Sequence, residues 1–173
     1  MAAELEIERK FLVEFPDTTK LDIKRKLNIV QTYLRRGKNN SQRRVRRLED
    51  NGNIFYTYTE KIFISPEIRE EKEYTISCEE YENFLSEADT KLVPVDKVRF
   101  CFNYKNQLFE LDTYPFSDRL AVLELELDSP GQVIDFPTDV RVIKDVTADS
   151  RYSNASLSAA GAFPCDMPDD RSS

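Results

Sequence analysis

Charged side chains recur at positions i and i+2 throughout this chain of 173 residues. Glu6, Glu8 and Lys10 are spaced in this way, as are Arg44 and Arg46, Thr59 and Lys61, Glu71 and Glu73, Lys97 and Arg99, Glu110 and Asp112, and Glu124 and Glu126. In an extended strand such positions share one face, roughly 6.5–7 Å apart. Carboxylates so placed are hard oxygen ligands suited to Mg²⁺ or Mn²⁺. Guanidinium forks match phosphate oxygens two at a time. The chemistry within reach is the grip and hydrolysis of a phosphorylated polyanion. That chemistry needs mainly positioning, charge neutralisation and an activated water.

A solvated sheet face accounts for any one of these pairs, since charged residues are mostly exposed. The set is harder to explain in that way. Solvated faces mix charge with Ser, Thr, Gln and Asn, whereas here most stretches carry a single sign. Like charges on neighbouring strands destabilise a sheet. Cations between the acidic stretches and a polyanion on the basic ones would offset that cost.

The elements that carry these charges are strands, predicted over residues 5–13, 30–36, 43–48, 54–63, 69–77, 96–104, 107–114 and 120–128. Asp50-Asn51-Gly52 marks a hairpin, and Asn106 and Ser117-Asp118 mark turns. The opposite parity is largely apolar, as in Ile54, Tyr56 and Tyr58 or Leu123, Leu125 and Leu127. A helix is expected over 17–28. A second opens on Ser77-Cys78-Glu79-Glu80, a capping box, and runs to about Asp89. A short one runs from Asp149 to Gly161. The expected fold is α+β, mainly β: eight strands at hairpin spacing in an antiparallel barrel or sandwich with flanking helices, one domain over 1–163, and a loose tail over 164–173.

Composition removes several function classes. There is no histidine, which excludes histidine triads, histidine-ligated zinc and an imidazole base. Four glycines leave no glycine-rich phosphate loop. A net charge of −7 argues against a nucleic-acid partner. Three cysteines without paired spacing suggest free thiols in a reducing compartment. With no membrane-length apolar run and no leader core, a cytoplasmic location is expected. The aromatic content leaves room for a homodimer surface.

Read in order, these motifs resemble the CYTH superfamily, the triphosphate tunnel metalloenzymes. Glu6-Ile7-Glu8-Arg9-Lys10 is similar to that family's first strand, Gln31-Thr32-Tyr33-Leu34 to its second, and Arg44-Val45-Arg46 and Thr59-Glu60-Lys61 to its basic strands. Arg69-Glu70-Glu71-Lys72-Glu73, Lys97-Val98-Arg99-Phe100, Glu110-Leu111-Asp112 and Glu124-Leu125-Glu126 follow, with Arg151-Tyr152-Ser153-Asn154 near the end. The resemblance implies an eight-stranded tunnel with its charged face inward. It implies a divalent metal, Mg²⁺ or Mn²⁺, held by Glu6, Glu8 and Glu126 with Glu124 beside them. Lys10, Arg44, Arg46, Lys61, Lys97 and Arg99 would bind the phosphates. Glu71, Glu73, Glu110 and Asp112 would order a second cation or the attacking water, with Lys10 also in a catalytic role. Tyr33 would lie near the tunnel as a hydrogen-bonding group or as a rim tyrosine.

The absence of tryptophan and histidine sets the chain apart from the animal thiamine-triphosphatase branch and the class IV adenylyl cyclases. It favours the compact bacterial-type branch, which cleaves inorganic triphosphate to pyrophosphate and phosphate. The alternatives are a nucleoside-triphosphate phosphohydrolase or adenylyl cyclase, and a non-catalytic polyphosphate or nucleotide sensor.

Overall fold

A computed structural model describes residues 4–165. Nine strands form one antiparallel sheet: β1 (Glu4–Glu14), β2 (Ile23–Leu34), β3 (Gln42–Asp50), β4 (Asn53–Phe63), β5 (Ile68–Ile76), β6 (Val95–Tyr104), β7 (Gln107–Thr113), β8 (Leu120–Glu126) and β9 (Val142–Asp145). Their order is β5-β4-β3-β2-β6-β7-β8-β1-β9. A further pairing of β5 with β1 closes the first eight into a barrel. The joint is short and runs from Glu4 opposite Glu71 to Ile7 opposite Ile68. Beyond it, β9 takes over the same edge of β1, with Phe11 opposite Asp145.

The tight turns follow from local chemistry. Asn51 and Gly52 have φ values of 51° and 85°, the left-handed pair that a two-residue hairpin between β3 and β4 requires. Lys105 and Asn106 do the same between β6 and β7, at 47° and 59°. Helix α1 (Cys78–Leu85) opens on the expected capping box. Ser77 Oγ accepts from the Glu80 amide, and Glu80 Oε1 accepts from the Ser77 amide, both at 3.0 Å.

Two expectations are corrected. Residues 17–28 are not a helix: after one turn of 3-10 helix at Thr18–Lys20, β2 begins at Ile23. Leu27, Ile29, Gln31 and Tyr33 alternate along β2, and pairing with β3 and β6 on both sides outweighs the helix propensity of Lys24-Arg25-Lys26. The short β9 was not anticipated. The C-terminal helix divides into a 3-10 turn (Ser150–Tyr152) and α2 (Asn154–Ala160), which stops at Gly161 in the left-handed conformation. Of the expected tail, 166–173 lie outside the described residues.

Apolar packing sits at the barrel's ends and on its outside. The charged parity turns apolar toward one end, where Leu12, Tyr33, Val95, Tyr114, Leu120 and Val122 meet Tyr152, Leu157 and Phe163 from the C-terminal segment. The end of the barrel is thus filled by α2 and its flanks. Near the β3–β4 turn, Leu27, Ile29, Leu48 and Cys101 form a smaller inner cluster with Phe55. Outside, α1 covers Val45, Tyr58 and Ile76 with Tyr81 and Phe84. Ile134, Phe136 and Val140, on the segment before β9, cover Phe11, Phe102, Phe109 and Leu123.

Leu157 is fully buried against the inner cluster. Leu157→Ala is therefore expected to cost about 2–4 kcal/mol in urea unfolding, through lost transfer energy and the cavity left behind. A loss below about 1 kcal/mol would show that α2 does not fill the barrel end.

Candidate active site

The barrel encloses a cavity of about 780 Å³. Glu6, Glu8 and Lys10 line it from β1, Arg44 and Arg46 from β3, and Lys61 from β4. Glu71 and Glu73 line it from β5, Arg99 from β6, Glu110 from β7, and Glu124 and Glu126 from β8. Tyr33 also faces it, and its hydroxyl accepts from Gln31 Nε2 at 2.9 Å. Antiparallel register produces this convergence. Lys61 is opposite Glu71, Glu110 opposite Glu124, Lys10 opposite Glu124, and Glu8 opposite Glu126.

Lys97 and Asp112 do not line the cavity. Both side chains are wholly buried, and Lys97 Nζ donates to Asp112 Oδ2 at 2.8 Å. Arg99 holds the same carboxylate with two bonds, Nε to Oδ1 at 2.7 Å and Nη2 to Oδ2 at 3.0 Å. Burial alone would raise the Asp112 pKa. Arg99 and Lys97 outweigh burial and hold Asp112 ionised, far below the usual carboxylate range. Lys97 is pushed down to about 8 by burial, with Arg99 adding to the shift and Asp112 opposing it. Asp112 thereby fixes the plane of Arg99, whose Nη1 reaches into the cavity wall to Glu110 Oε2 at 3.0 Å.

The other charges pair along the cavity wall, some at longer distances. Lys10 Nζ lies 3.4 Å from Glu124, and Lys61 Nζ lies 3.9 Å from both Glu6 and Glu71. Arg46 Nη2 donates to Glu73 Oε1 at 2.9 Å, and Thr59 Oγ1 donates to the same oxygen at 3.0 Å. Arg44 makes no salt bridge among the described residues, and the buried Nε atoms of Arg44 and Arg46 have no partner. Burial, then Arg44 and Arg99, push Arg46 down to about 10. This is positive charge held where it is under-compensated. The acidic wall has the opposite problem. Burial, a hydrogen bond with Glu71 and the nearby Glu8 raise Glu6 to about 8, although Lys61 opposes the shift.

A hard divalent cation fits the chemistry of this acidic wall. Glu6 Oε2 is buried without a hydrogen-bond partner, and Glu126 is raised by burial and then by Glu8 and Glu71. As placed, no three of the described carboxylates converge on one point. Lys61 and Arg69 are their counter-ions instead, Arg69 Nη1 standing 3.4 Å from Glu8. Arg69 shares the charged parity of β5, but spacing alone does not place it in the site. Register across the closing joint, which places it opposite Glu6, is what puts it in the site. Ser150, Ser153 and Asn154 also line the cavity. Asn154 Oδ1 accepts from the Tyr114 hydroxyl at 2.5 Å. The sequence signal for Ser153 and Asn154 is their place in Arg151-Tyr152-Ser153-Asn154, and Ser150 has none.

The CYTH domain family model matches residues 4–154. No curated protein matches the sequence. Among solved structures, the inorganic triphosphatase NE1496 is 28% identical, over 88% of this chain and 93% of its own, with a TM-score of 0.50. The PH1819 protein of Pyrococcus horikoshii OT3 is 18% identical, over 72% of this chain and 80% of its own, at a TM-score of 0.55, which shows the fold. Among the described residues no helix is long and apolar enough to cross a membrane.

The raised Glu6 sets a pH dependence for the metal-free protein. Between about 4.5 and about 8 the folded state holds a proton that the unfolded chain has lost. That contribution is present at low pH and lost as pH rises through the folded value. Glu110 and Glu126, also raised, act in the same direction. Glu73, Asp112 and Glu124 are lowered and so titrate below this window. In EDTA the melting temperature is expected to fall from about pH 5 to about pH 8, and Glu6→Gln should flatten the slope. A wild-type melting temperature that rises over this range would contradict the assignment.

Proposed function

The chain belongs to the CYTH domain family, and on that premise we propose that it hydrolyses a triphosphate in the barrel cavity with a divalent cation, inorganic triphosphate being the leading substrate and pyrophosphate and phosphate the products. The observation that carries this reading is the opposition of two walls in one cavity. Arg44 and Arg46, with unpartnered buried Nε atoms, need an anion, and the Glu6–Glu8 wall needs a cation. A triphosphate with a divalent metal supplies both. The similarity to a protein named an inorganic triphosphatase, at 28% identity, supports the same choice.

Glu6, Glu8, Glu124 and Glu126 are the proposed metal-holding set. When bound, the cation, Mg²⁺ or Mn²⁺, polarises phosphoryl oxygens and shields their charge from the attacking nucleophile. Arg44, Arg46, Lys61 and Lys10 grip the phosphate oxygens. Arg99, held in its plane by Asp112, stabilises charge developing on the bridging oxygen. Lys97 contributes through Asp112 rather than by contact. Glu71 and Glu73 orient the water, and Glu71 receives its proton. The water oxygen bonds to the terminal phosphorus, the bridging P–O bond breaks, and pyrophosphate leaves with its charge neutralised by the arginines.

A nucleoside triphosphate is a second reading, favoured by one feature. An outer groove of about 950 Å³ adjoins the cavity and shares Pro66, Thr147, Ala148, Asp149 and Ser150 with its lining. That is space beyond what three phosphoryl groups occupy. On this reading the residues gripping the phosphates are the same, and only the products differ.

The deciding measurement is phosphate release from inorganic triphosphate and from ATP under Mg²⁺ and Mn²⁺, with products separated. Inorganic triphosphate is expected to give the higher kcat/KM. Glu8→Gln should lower kcat by about a hundredfold or more while the fold is kept. Arg46→Ala should raise KM for triphosphate more than it changes the metal requirement. Absence of turnover on every triphosphate, with metal and pH varied, would refute the proposal.

A further inference from the structure

Arg69 stands on β5 at the joint that closes the barrel, opposite Glu6 on β1. It lines the cavity and is 8% exposed. Its guanidinium lies 4.9 Å from the centroid of the Phe63 ring, a side chain that is itself half exposed. Nη2 donates to the Pro66 carbonyl at 3.2 Å, and Nη1 reaches Glu8 Oε1 at 3.4 Å. Nε is buried and has no partner.

An ion pair with Glu8 alone is a poor explanation for this arrangement. The contact is long, and it leaves Nε of the fork without an acceptor. Stacking on Phe63 and the bond to Pro66 fix the plane of the fork before any ligand arrives, so little side-chain entropy remains to be lost on binding. A pre-oriented guanidinium with an unsatisfied donor, in a wall shared with Arg44, Arg46 and Lys61, has the chemistry of an oxyanion contact. It also fills a gap, because Lys97 faces Asp112 and leaves the cavity with one cation fewer than the strand pattern suggests.

We infer that Arg69 is a further triphosphate-binding residue, gripping phosphate oxygens from the closing joint between β1 and β5. This rests on the triphosphate reading given above. Its place beside Glu8 puts it where the basic and acidic walls meet. It therefore contacts the part of the polyanion nearest the carboxylates.

The test is calorimetric titration of inorganic triphosphate into metal-free protein, with melting curves confirming the fold of each variant. Arg69→Gln is expected to weaken binding by about tenfold or more. Arg69→Lys, which keeps the charge and loses the fork, should fall between that and wild type. Because Arg69→Gln also uncovers the Glu8 charge, the comparison is repeated in a Glu8→Gln background. Direct contact predicts that the loss persists there. A loss that vanishes in that background shows that Arg69 only screens Glu8 and overturns the inference, as does an Arg69→Gln variant that binds like wild type. If Arg69→Gln fails to fold, the Glu8→Gln/Arg69→Gln protein, which leaves no unpaired charge, is compared with Glu8→Gln in its place. Wild-type protein that binds no triphosphate would sink the hydrolase reading along with this one. Wild-type binding with unaffected variants would sink only the role of Arg69.

Discussion

The short joint between β1 and β5 is what the rest of this molecule depends on. Strands with one charged and one apolar face would otherwise form an open sheet with its charges in water. Closure turns that face inward, and β1, β3, β4, β5, β6, β7 and β8 then deliver their ionic side chains to one volume. Coulomb interactions strengthen as water is excluded. Burial therefore moves protons as well as pairing charges. Glu6 is raised to about 8, Arg46 is pushed down, and Asp112 is held ionised by two cations.

Placing the charges inside forces the apolar residues elsewhere. The outer face cannot be left bare, so α1 covers one side and the segment carrying Ile134, Phe136 and Val140 covers another. Phe11 and Phe136 meet edge to face at 4.9 Å, and Tyr58 and Phe84 stack at 4.8 Å. Within the barrel, the apolar clusters confine the charges to the middle. Tyr152, Leu157 and Phe163 fill one end, and Leu27, Ile29 and Leu48 pack near the β3–β4 turn. The hydrophobic effect here stabilises a wall and a plug rather than a central core. That leaves the middle of the barrel available for polar chemistry.

This explains which features were legible in the sequence. Period-two alternation requires no knowledge of strand register, so the parity of Glu6, Arg44, Lys61 or Glu124 could be read from spacing alone, while spacing left a barrel or a sandwich open and the ordered family motifs pointed to the barrel. The side chains' final partners depend on cross-strand register, which spacing does not contain. Lys97 and Arg99 look equivalent on paper. Arg99 lies opposite Asp112, and Lys97 reaches the same carboxylate from a place with no access to the cavity. The charged parity also changes character along a strand, as when Lys10 is followed by Leu12 or Asp112 by Tyr114, because α2 arrives there from far along the chain. The first half of β2 reads as a helix in the sequence because Lys24-Arg25-Lys26 favours one locally, and only pairing with β3 and β6 overrules it. Arg69 has the right parity, but its importance comes from the closing joint, which joins residues 61 to 67 positions apart.

The cations of the barrel interior divide into two kinds, and the division bears on how the site works. Lys97 and Arg99 are committed to a buried carboxylate that stays ionised, so their geometry is fixed whatever is bound. Arg44 makes no salt bridge among the described residues, and Lys61 is shared between two carboxylates at 3.9 Å each. These are the charges an incoming anion can recruit cheaply. Taking Lys61 or Arg69 from the acidic wall leaves Glu6, Glu8 and Glu71 without their counter-ions, and their mutual repulsion grows. On the proposed reading a divalent cation meets that deficit, and its arrival releases the basic residues for phosphate. Anion and cation then each reduce the cost of binding the other, a reciprocal coupling that follows from two oppositely charged walls sharing one enclosed space.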